Sequence, residues 1–472
     1  MLALNIMEKS MKDLLHALDY NQYAPPGFLI IEKLITNLLG TSELAFRLFP
    51  FICSIVSLFL FYKLCKKCLS GIAVPIAIGL FSVLISLLYY SSEAKQYSSD
   101  VLFMLILVLM SLRFKETGLN IFKTLFYGLL AAVIIWFSHT AIFVLLGEGL
   151  YLLIHSLLKK DYKRFSFTSV FCLMWFISFC IFYFKALTFT DSTKGLIIYW
   201  GNFYLPFPPF TASAIIIYKK IFGELSRFLT FDFFSAVCFL LGLTIIYKNK
   251  KETFYILLLP ILVTVLAAAA HKYPIYERFI LFLVPLIIMF IAEGAEWLRQ
   301  KGSKITPILG IFLICLLFYK PLVFTRDNFT NPLTQEETRP VFRYIKEHLK
   351  PGDVIYISDP LQFSFKYYAK NYNFCNNYLI KQDREKIEEA SCSKFNHKLF
   401  LGSAPNNTTK GFENIPREKR VWFVFSEKLS EDNTDKKFTL KYIDKIGVKT
   451  GFFGRPGVAA YLYNLSIRSN HQ

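Results

Sequence analysis

Ten runs of apolar residues, most of them close to twenty long, fill the first two thirds of this chain and leave few folds open to it. They lie at roughly 45–64, 71–90, 100–114, 120–138, 140–158, 165–186, 233–247, 253–270, 278–298 and 305–320. About 20 apolar residues in a helix cross the hydrocarbon of a bilayer. Inside lipid, only helices and closed barrels satisfy every backbone polar group. The third and seventh runs are the shortest, at roughly 15 residues. With 54% of the 472 residues hydrophobic and 50 of them Phe, too little polar material remains to coat a water-soluble globule. The expected fold is an all-α polytopic membrane domain of about ten transmembrane helices.

The charges between the runs give an orientation. Every second gap is basic: Lys63, Lys66, Lys67; Arg113, Lys115, Lys123; Lys159, Lys160, Lys163, Arg164; Lys248, Lys250, Lys251; and Arg299, Lys301, Lys304. Short loops rich in Lys and Arg stay on the cytoplasmic side. The remaining gaps carry Glu93–Asp100, His139, a long aromatic segment and His271–Arg278, so these are expected together on the outer face. The net charge of +19 is spread over loops and the C-terminal part. Orientation and attraction to anionic headgroups account for it without a nucleic-acid partner. Of the nine Cys, five (Cys53, Cys172, Cys180, Cys238, Cys315) fall inside apolar runs as small apolar fillers. Cys65 and Cys68 form a C-x-x-C with no second pair nearby, which argues against a zinc or redox site.

The same alternation runs the first span from outside to inside and leaves residues 1–43 outside, with no apolar segment ahead to carry them across. One further transmembrane helix is therefore expected upstream, making eleven or more, with the given start a fragment or a misplaced initiation site. Residues 1–43 read as an outer loop of two short interfacial helices, with Leu2, Ile6 and Leu14 on one side of the first. Between them stands DYNQYAPPGF, where Asp19, Asn21 and Gln22 precede a Pro25-Pro26-Gly27 turn that ends one helix and opens the next. Residues 44–320 form the membrane domain. Within it, the aromatic segment 187–232 suggests helices lying on the membrane surface. After Pro321 the apolar runs stop. Residues 335–350 have helical periodicity, and VIYIS, KRVWFVFS and GVAAYLYNL alternate as strands. Residues 321–472 are thus expected to be a small α/β domain outside the cytoplasm. There Cys375 and Cys392 could pair or remain thiols. The absence of an evident internal repeat weighs against an inverted-repeat transporter.

On the outer face, YYSSEAKQYSSD carries Glu93, Lys95, Tyr97 and Asp100. Ionisable groups at a membrane boundary are costly unless paired or used. A carboxylate can act as a base or metal ligand, and a Lys can hold phosphate as a point charge. The competing reading is a solvated turn with an internal Glu–Lys pair. His139, in IIWFSHTAIF, has almost no polar company and reads equally as an interfacial residue. HKYPIYERF offers His271, Tyr273, Tyr276, Glu277 and Arg278, the last able to grip phosphate oxygens in bidentate fashion or to anchor a headgroup. Arg47, at the start of the first span, has the same two readings. Glu93 with His139 or His271 could hold a divalent metal ion, although spacing alone does not establish it.

At these residues the chain resembles the membrane glycosyltransferases of the GT-C superfamily. The likeness is to glycosyltransferase family 39, the dolichyl-phosphate-mannose–protein mannosyltransferase type, and to its bacterial relatives, including the aminoarabinose transferases of lipid A. It is carried by Pro25-Pro26, by Gly40-Thr41-Ser42-Glu43…Arg47, by Glu93-Ala94-Lys95-Gln96-Tyr97 with Lys in place of the usual Arg, and by YPIYERF. It covers most of residues 1–300. The resemblance implies inverting transfer of a sugar from a polyprenyl-phosphate donor to a lipid, glycan or protein acceptor at the outer face of a bacterial plasma membrane. It further implies donor-phosphate contacts from Lys95, Arg278, Arg47, Tyr97 and Tyr273, with Glu93, Asp100, His139 and Asp19 as the catalytic candidates. The family's base is an Asp in an Asp-Glu pair after the first transmembrane helix. That pair is absent before the Pro-Pro turn here, and ALNIMEKS resembles the stretch on its C-terminal side in relatives. Little or no transferase activity is accordingly expected from residues 1–472 alone. The alternatives are a transporter or flippase of lipid-linked sugars and a non-catalytic assembly subunit.

Overall fold

The structure, a computed structural model, describes residues 1–116, 120–187, 200–206, 212–228, 233–330, 336–358, 361–371, 388–392, 397–402, 419–426 and 434–465. It divides into two compact units, Leu2–Asn331 and Pro332–Gln472. The expected boundary at 320 falls within a continuous helix, Pro307–Thr330. Pro321 does not end that helix, because neighbouring groups can take up the carbonyl that a proline leaves free inside a bundle.

All ten apolar runs are helical. Among the described residues, seven helices are long and apolar enough to cross a membrane. They include α3 (Glu43–Cys68), α6 (Tyr97–Glu116), α8 (Ala141–Leu158) and α9 (Tyr162–Phe182, continued by a π turn at Tyr183–Leu187). The others are Lys251–Ala269, Glu277–Ser303 and Pro307–Thr330. The run at 71–90 is broken instead: α4 (Ala73–Val83) and α5 (Ile85–Ser91) meet at 53°. The break sits at the buried, extended Leu84 rather than at a proline or glycine. The run at 100–114 extends to 20 residues because YSSD joins its first turn. The helices over 121–134 (α7) and 233–249 are apolar but shorter than a span.

Close helix packing is secured by glycine. Gly242 and Gly294 lie so near the backbones of Phe290 and Cys238 that a methyl group at either would overlap a carbonyl. Small residues at such crossings let helices approach in lipid, where exclusion of water supplies no force.

Before the first span, α1 (Leu2–Glu8) buries Leu2, Leu4, Asn5 and Ile6, and α2 (Pro26–Leu39) begins with Pro26 in its first turn. Gly40, at φ +80°, turns the chain out of α2, and Ser42 caps α3 by accepting from the Ala45 amide at 3.2 Å. In the aromatic segment the described part holds a short turn at Gly201–Phe203 and the helix Ala212–Phe228. The C-terminal unit is a six-stranded mixed sheet of β1 (Val354–Ser358), β2 (Glu388–Cys392), β3 (His397–Gly402), β4 (Arg420–Ser426), β5 (Val448–Arg455) and β6 (Val458–Asn464). Their order is β2-β3-β1-β4-β6-β5, with β1 parallel to β3 and β4 and the other pairings antiparallel. Helix Thr338–His348 covers Ile355, Ile357, Trp422 and Val424 on one face, and Thr434–Ile446 covers Val354, Tyr356, Val421 and Phe423 on the other. Three of its strands and the 335–350 helix match the sequence expectation. The Cys375–Cys392 pairing lies outside the described residues, since Cys375 is not among them.

Candidate functional site

The loop between α5 and α6 is held tight by its own serines. Ser98 donates to the Tyr90 carbonyl and Ser99 to the Gln96 carbonyl, each at 2.7 Å, and the Lys95 amide donates to the Glu93 carbonyl, also at 2.7 Å. This curl turns Lys95 inward, where its ammonium donates to Gln22 Oε1 at 2.8 Å. Burial first, then the nearby positive charge of Arg278, lowers the Lys95 pKa to about 8, against the opposing pull of Glu93. Burial raises the Glu93 carboxyl. Arg47 chiefly counters it, together with a hydrogen bond from Tyr89 and the charge of Lys95.

Arg278 enters the site from the opposite hairpin, at the start of the 3-10 turn Glu277–Leu283. Its guanidinium lies 5.5 Å from the rings of Trp200 and Phe279, 5.8 Å from Tyr276 and 5.9 Å from Tyr97, and it donates to the Tyr97 hydroxyl. A planar guanidinium set among rings keeps its charge while losing little orientational freedom on binding an anion. Arg47, Glu93, Lys95, Tyr97 and Arg278 therefore converge. Three cations, of which Lys95 and Arg278 repel one another and Arg47 stands against the Glu93 carboxylate, make a site for an anion.

Of the other expected residues, Asp100 and Tyr273 lie near Tyr97 at the edge of this cluster, and His139, Asp19 and His271 have other neighbours. Asp100, one turn into α6, is buried and accepts from the Ser138 hydroxyl at 2.6 Å, and Ser138 is also 3.0 Å from the Thr140 hydroxyl. His139 packs its ring 5.9 Å from Tyr23 and 5.2 Å from Phe182, and burial lowers its pKa to about 4, so it is neutral at physiological pH. Asp19 pairs with Lys9 at 3.1 Å instead of facing the anion site. Tyr273 donates its hydroxyl to the Phe279 carbonyl at 2.7 Å, which commits that proton to the backbone. His271, at φ +55°, places Nε2 3.1 Å from the Leu205 carbonyl and its ring 5.4 Å from Tyr204. Among the described residues no three His, Cys, Asp or Glu side chains gather as metal ligands. The rings of His139 and His271 therefore each keep neighbours other than Glu93.

Two contributors escaped the sequence reading of the site, and a buried carboxylate on α2 escaped it too. Gln22 precedes the Pro-Pro-Gly turn but no spacing ties it to Lys95. Trp200 is one aromatic among many. Glu32, on α2, is fully buried with neither carboxylate oxygen hydrogen-bonded, and burial raises its pKa to about 8. An apolar groove of about 240 Å³ adjoins the site, walled by Phe51, Ile55 and Leu58 of α3, Phe81 of α4, Leu88 of α5 and Val101 of α6. It reaches Ser91 and Ser98, the residues that flank the loop bearing Glu93 and Lys95.

The bundle and this site define an integral multi-pass membrane protein with a charged pocket for an anion beside an apolar groove. Residues 23–182 match the family described as dolichyl-phosphate-mannose-protein mannosyltransferase. The structure is similar to those of ArnT from Cupriavidus metallidurans, in the apo state and bound to undecaprenyl phosphate. Each match has a TM-score of 0.50 and 10% sequence identity, covering 98% of this chain and 93% of that one. No curated protein matches the sequence. The family likeness thus spans about a third of the chain, and the fold of the whole is shared with ArnT. The matched segment contains Arg47, Glu93, Lys95, Tyr97, Asp100 and His139 and stops short of Arg278.

Proposed function

We propose that this protein transfers a sugar, with inversion, from a polyprenyl-phosphate donor to a lipid, glycan or protein acceptor at the outer face of a bacterial plasma membrane, with its C-terminal α/β unit outside the cytoplasm. The observation that carries this reading is the convergence of Lys95 and Arg278, from different hairpins, beside a groove that suits an isoprenoid chain. The ArnT structure bound to undecaprenyl phosphate supports the same donor class.

In this reading the lipid chain lies in the groove and its phosphate meets Lys95 and Arg278. The acceptor oxygen attacks the anomeric carbon as its proton passes to the Glu93 carboxylate, the catalytic candidate beside the two cations. The bond from that carbon to the phosphate oxygen breaks, and the phosphate leaves with both electrons. The leaving phosphate gains negative charge, so the two cations bind the transition state more tightly than the donor. Tyr97 holds Arg278 in place. Asp100, hydrogen-bonded to Ser138 one turn into α6, supports this end of the site. Charge stabilisation is assigned to Lys95 and Arg278, the cations that meet at this end of the groove.

Membranes expressing the gene together with its upstream DNA, given polyprenyl phosphate bearing a radiolabelled sugar, should form a labelled product that is absent when both Lys95 and Arg278 are alanine, whereas residues 1–472 alone should form little or none. Label that only changes leaflet would indicate a flippase. Neither transfer nor movement would leave an assembly role.

A further inference from the structure

The left-handed turn ahead of the Pro-Pro-Gly motif is built to hold one side chain. Tyr20 and Asn21 stand at φ +62° and +50°, a region L-residues seldom occupy. Two features sustain it. Asn5, buried on α1, donates to the Asp19 carbonyl at 3.1 Å and accepts from the Asp19 amide at 2.8 Å. Lys9 pairs with the Asp19 carboxylate at 3.1 Å. The next residue is Gln22, whose backbone amide donates to the Asp19 carbonyl at 3.3 Å. A lysine ammonium only donates, so the Gln22 atom facing Lys95 must be Oε1. Nε2 is then left to the Tyr20 carbonyl, which it meets at 3.3 Å. The strained turn therefore fixes which way the side-chain amide points.

We infer that Gln22 is a positioning residue for the phosphate-binding cation: the turn clamped by Asn5 presents Gln22 Oε1 to Lys95, and so fixes the ammonium while leaving its charge free for a phosphate monoester. This inference rests on the proposed function. A lysine head on a four-carbon stem is mobile. One neutral acceptor orients it and leaves two N–H donors for the anion, whereas a carboxylate in the same place would neutralise it. The groups that face Lys95 are Glu93 in its own loop and Arg278 of the 277–283 turn. Arg47 of α3 and Tyr89 of α5 stand against Glu93, Tyr97 of α6 against Arg278, and the Lys9–Asp19 pair braces the turn behind Gln22.

The test uses the full chain in lipid nanodiscs, with geranylgeranyl phosphate as probe and geranylgeraniol as its neutral counterpart, from about pH 6 to about pH 9.5 to bracket the Lys95 titration. Gln22→Met, which removes the acceptor at similar size, should weaken phosphate binding about tenfold, spare the alcohol, and move the alkaline loss of binding to lower pH. Gln22→Glu should also bind phosphate less well at neutral pH, but with that alkaline loss moved to higher pH, since the added carboxylate keeps Lys95 charged. Wild-type affinities and midpoints in both variants, or equal losses for both ligands with an unmoved midpoint, would overturn the inference alone. A wild-type protein that prefers the phosphate no more than the alcohol would overturn the proposed function and this inference with it.

Discussion

The amide of Gly27 donates to the Trp136 carbonyl at 2.8 Å and so fastens the Pro-Pro-Gly turn to the segment that carries Ser138 and His139. A β-carbon at Gly27 would stand 2.6 Å from the Phe137 ring, within overlap distance. Gly27→Ala should therefore cost about 1–3 kcal/mol and lower the melting temperature in detergent. Pro26→Ala, which leaves this contact alone, should lower it less.

Arg278 differs from Lys95 in the company it keeps. Replacing it with lysine retains the charge but not the planar contact with Trp200, Tyr276, Tyr97 and Phe279. Arg278→Lys should lower transfer kcat/KM by about tenfold, and Arg278→Ala by more, as expected where a fixed fork is lost. Equal rates for wild type and Arg278→Lys would show that charge alone suffices.

On the proposed function, an alkaline limb is expected from Lys95. Its ammonium, with a pKa lowered to about 8, is present below that pH and lost above it. Donor KM should stay flat up to about pH 8 and then rise. Lys95→Arg should remove this limb, because a guanidinium stays charged. His139, with its pKa lowered to about 4, is neutral across the whole range, and His139→Gln should leave the limb where it is.

Glu32 gives a stability prediction that also declines with rising pH, but in folding rather than in donor binding. Its folded pKa, near 8, lies above that of an unfolded glutamate, so in the folded state it holds a proton that the unfolded chain has already released. Stability from this group is complete at low pH and is lost as pH rises towards 8. Glu32→Gln should flatten that decline and stabilise the protein by about 1–3 kcal/mol at pH 8, read as melting temperature against pH. An unchanged slope would mean that Glu32 is ionised in the folded state.

The spans were legible because a bilayer imposes one length and one composition on every helix that crosses it. The break at Leu84 was not, since it carries none of the proline or glycine signals that usually mark a bend. In the C-terminal unit the β1, β4 and β6 strands stood out by their apolar content. β5 did not, because Gly451, Gly454, Lys449 and Arg455 interrupt its pattern. Lys95 and Arg278 were found because charge at a boundary stands out against an apolar background. Gln22 carries no charge, and only the folded turn brings it to Lys95.

The groove between α3 and α5 is walled partly by Phe51, Ile55 and Leu88, all of which are exposed on the outside of the bundle. It therefore opens sideways, onto whatever surrounds the helices. On the proposed function, a lipid donor entering there never leaves the oily phase and finds its enzyme by diffusing in two dimensions. The concentration that governs its capture is then the number of donor molecules per lipid, not per volume of water. Diluting the donor with inert phospholipid at constant bulk concentration should slow the reaction, as adding buffer would not.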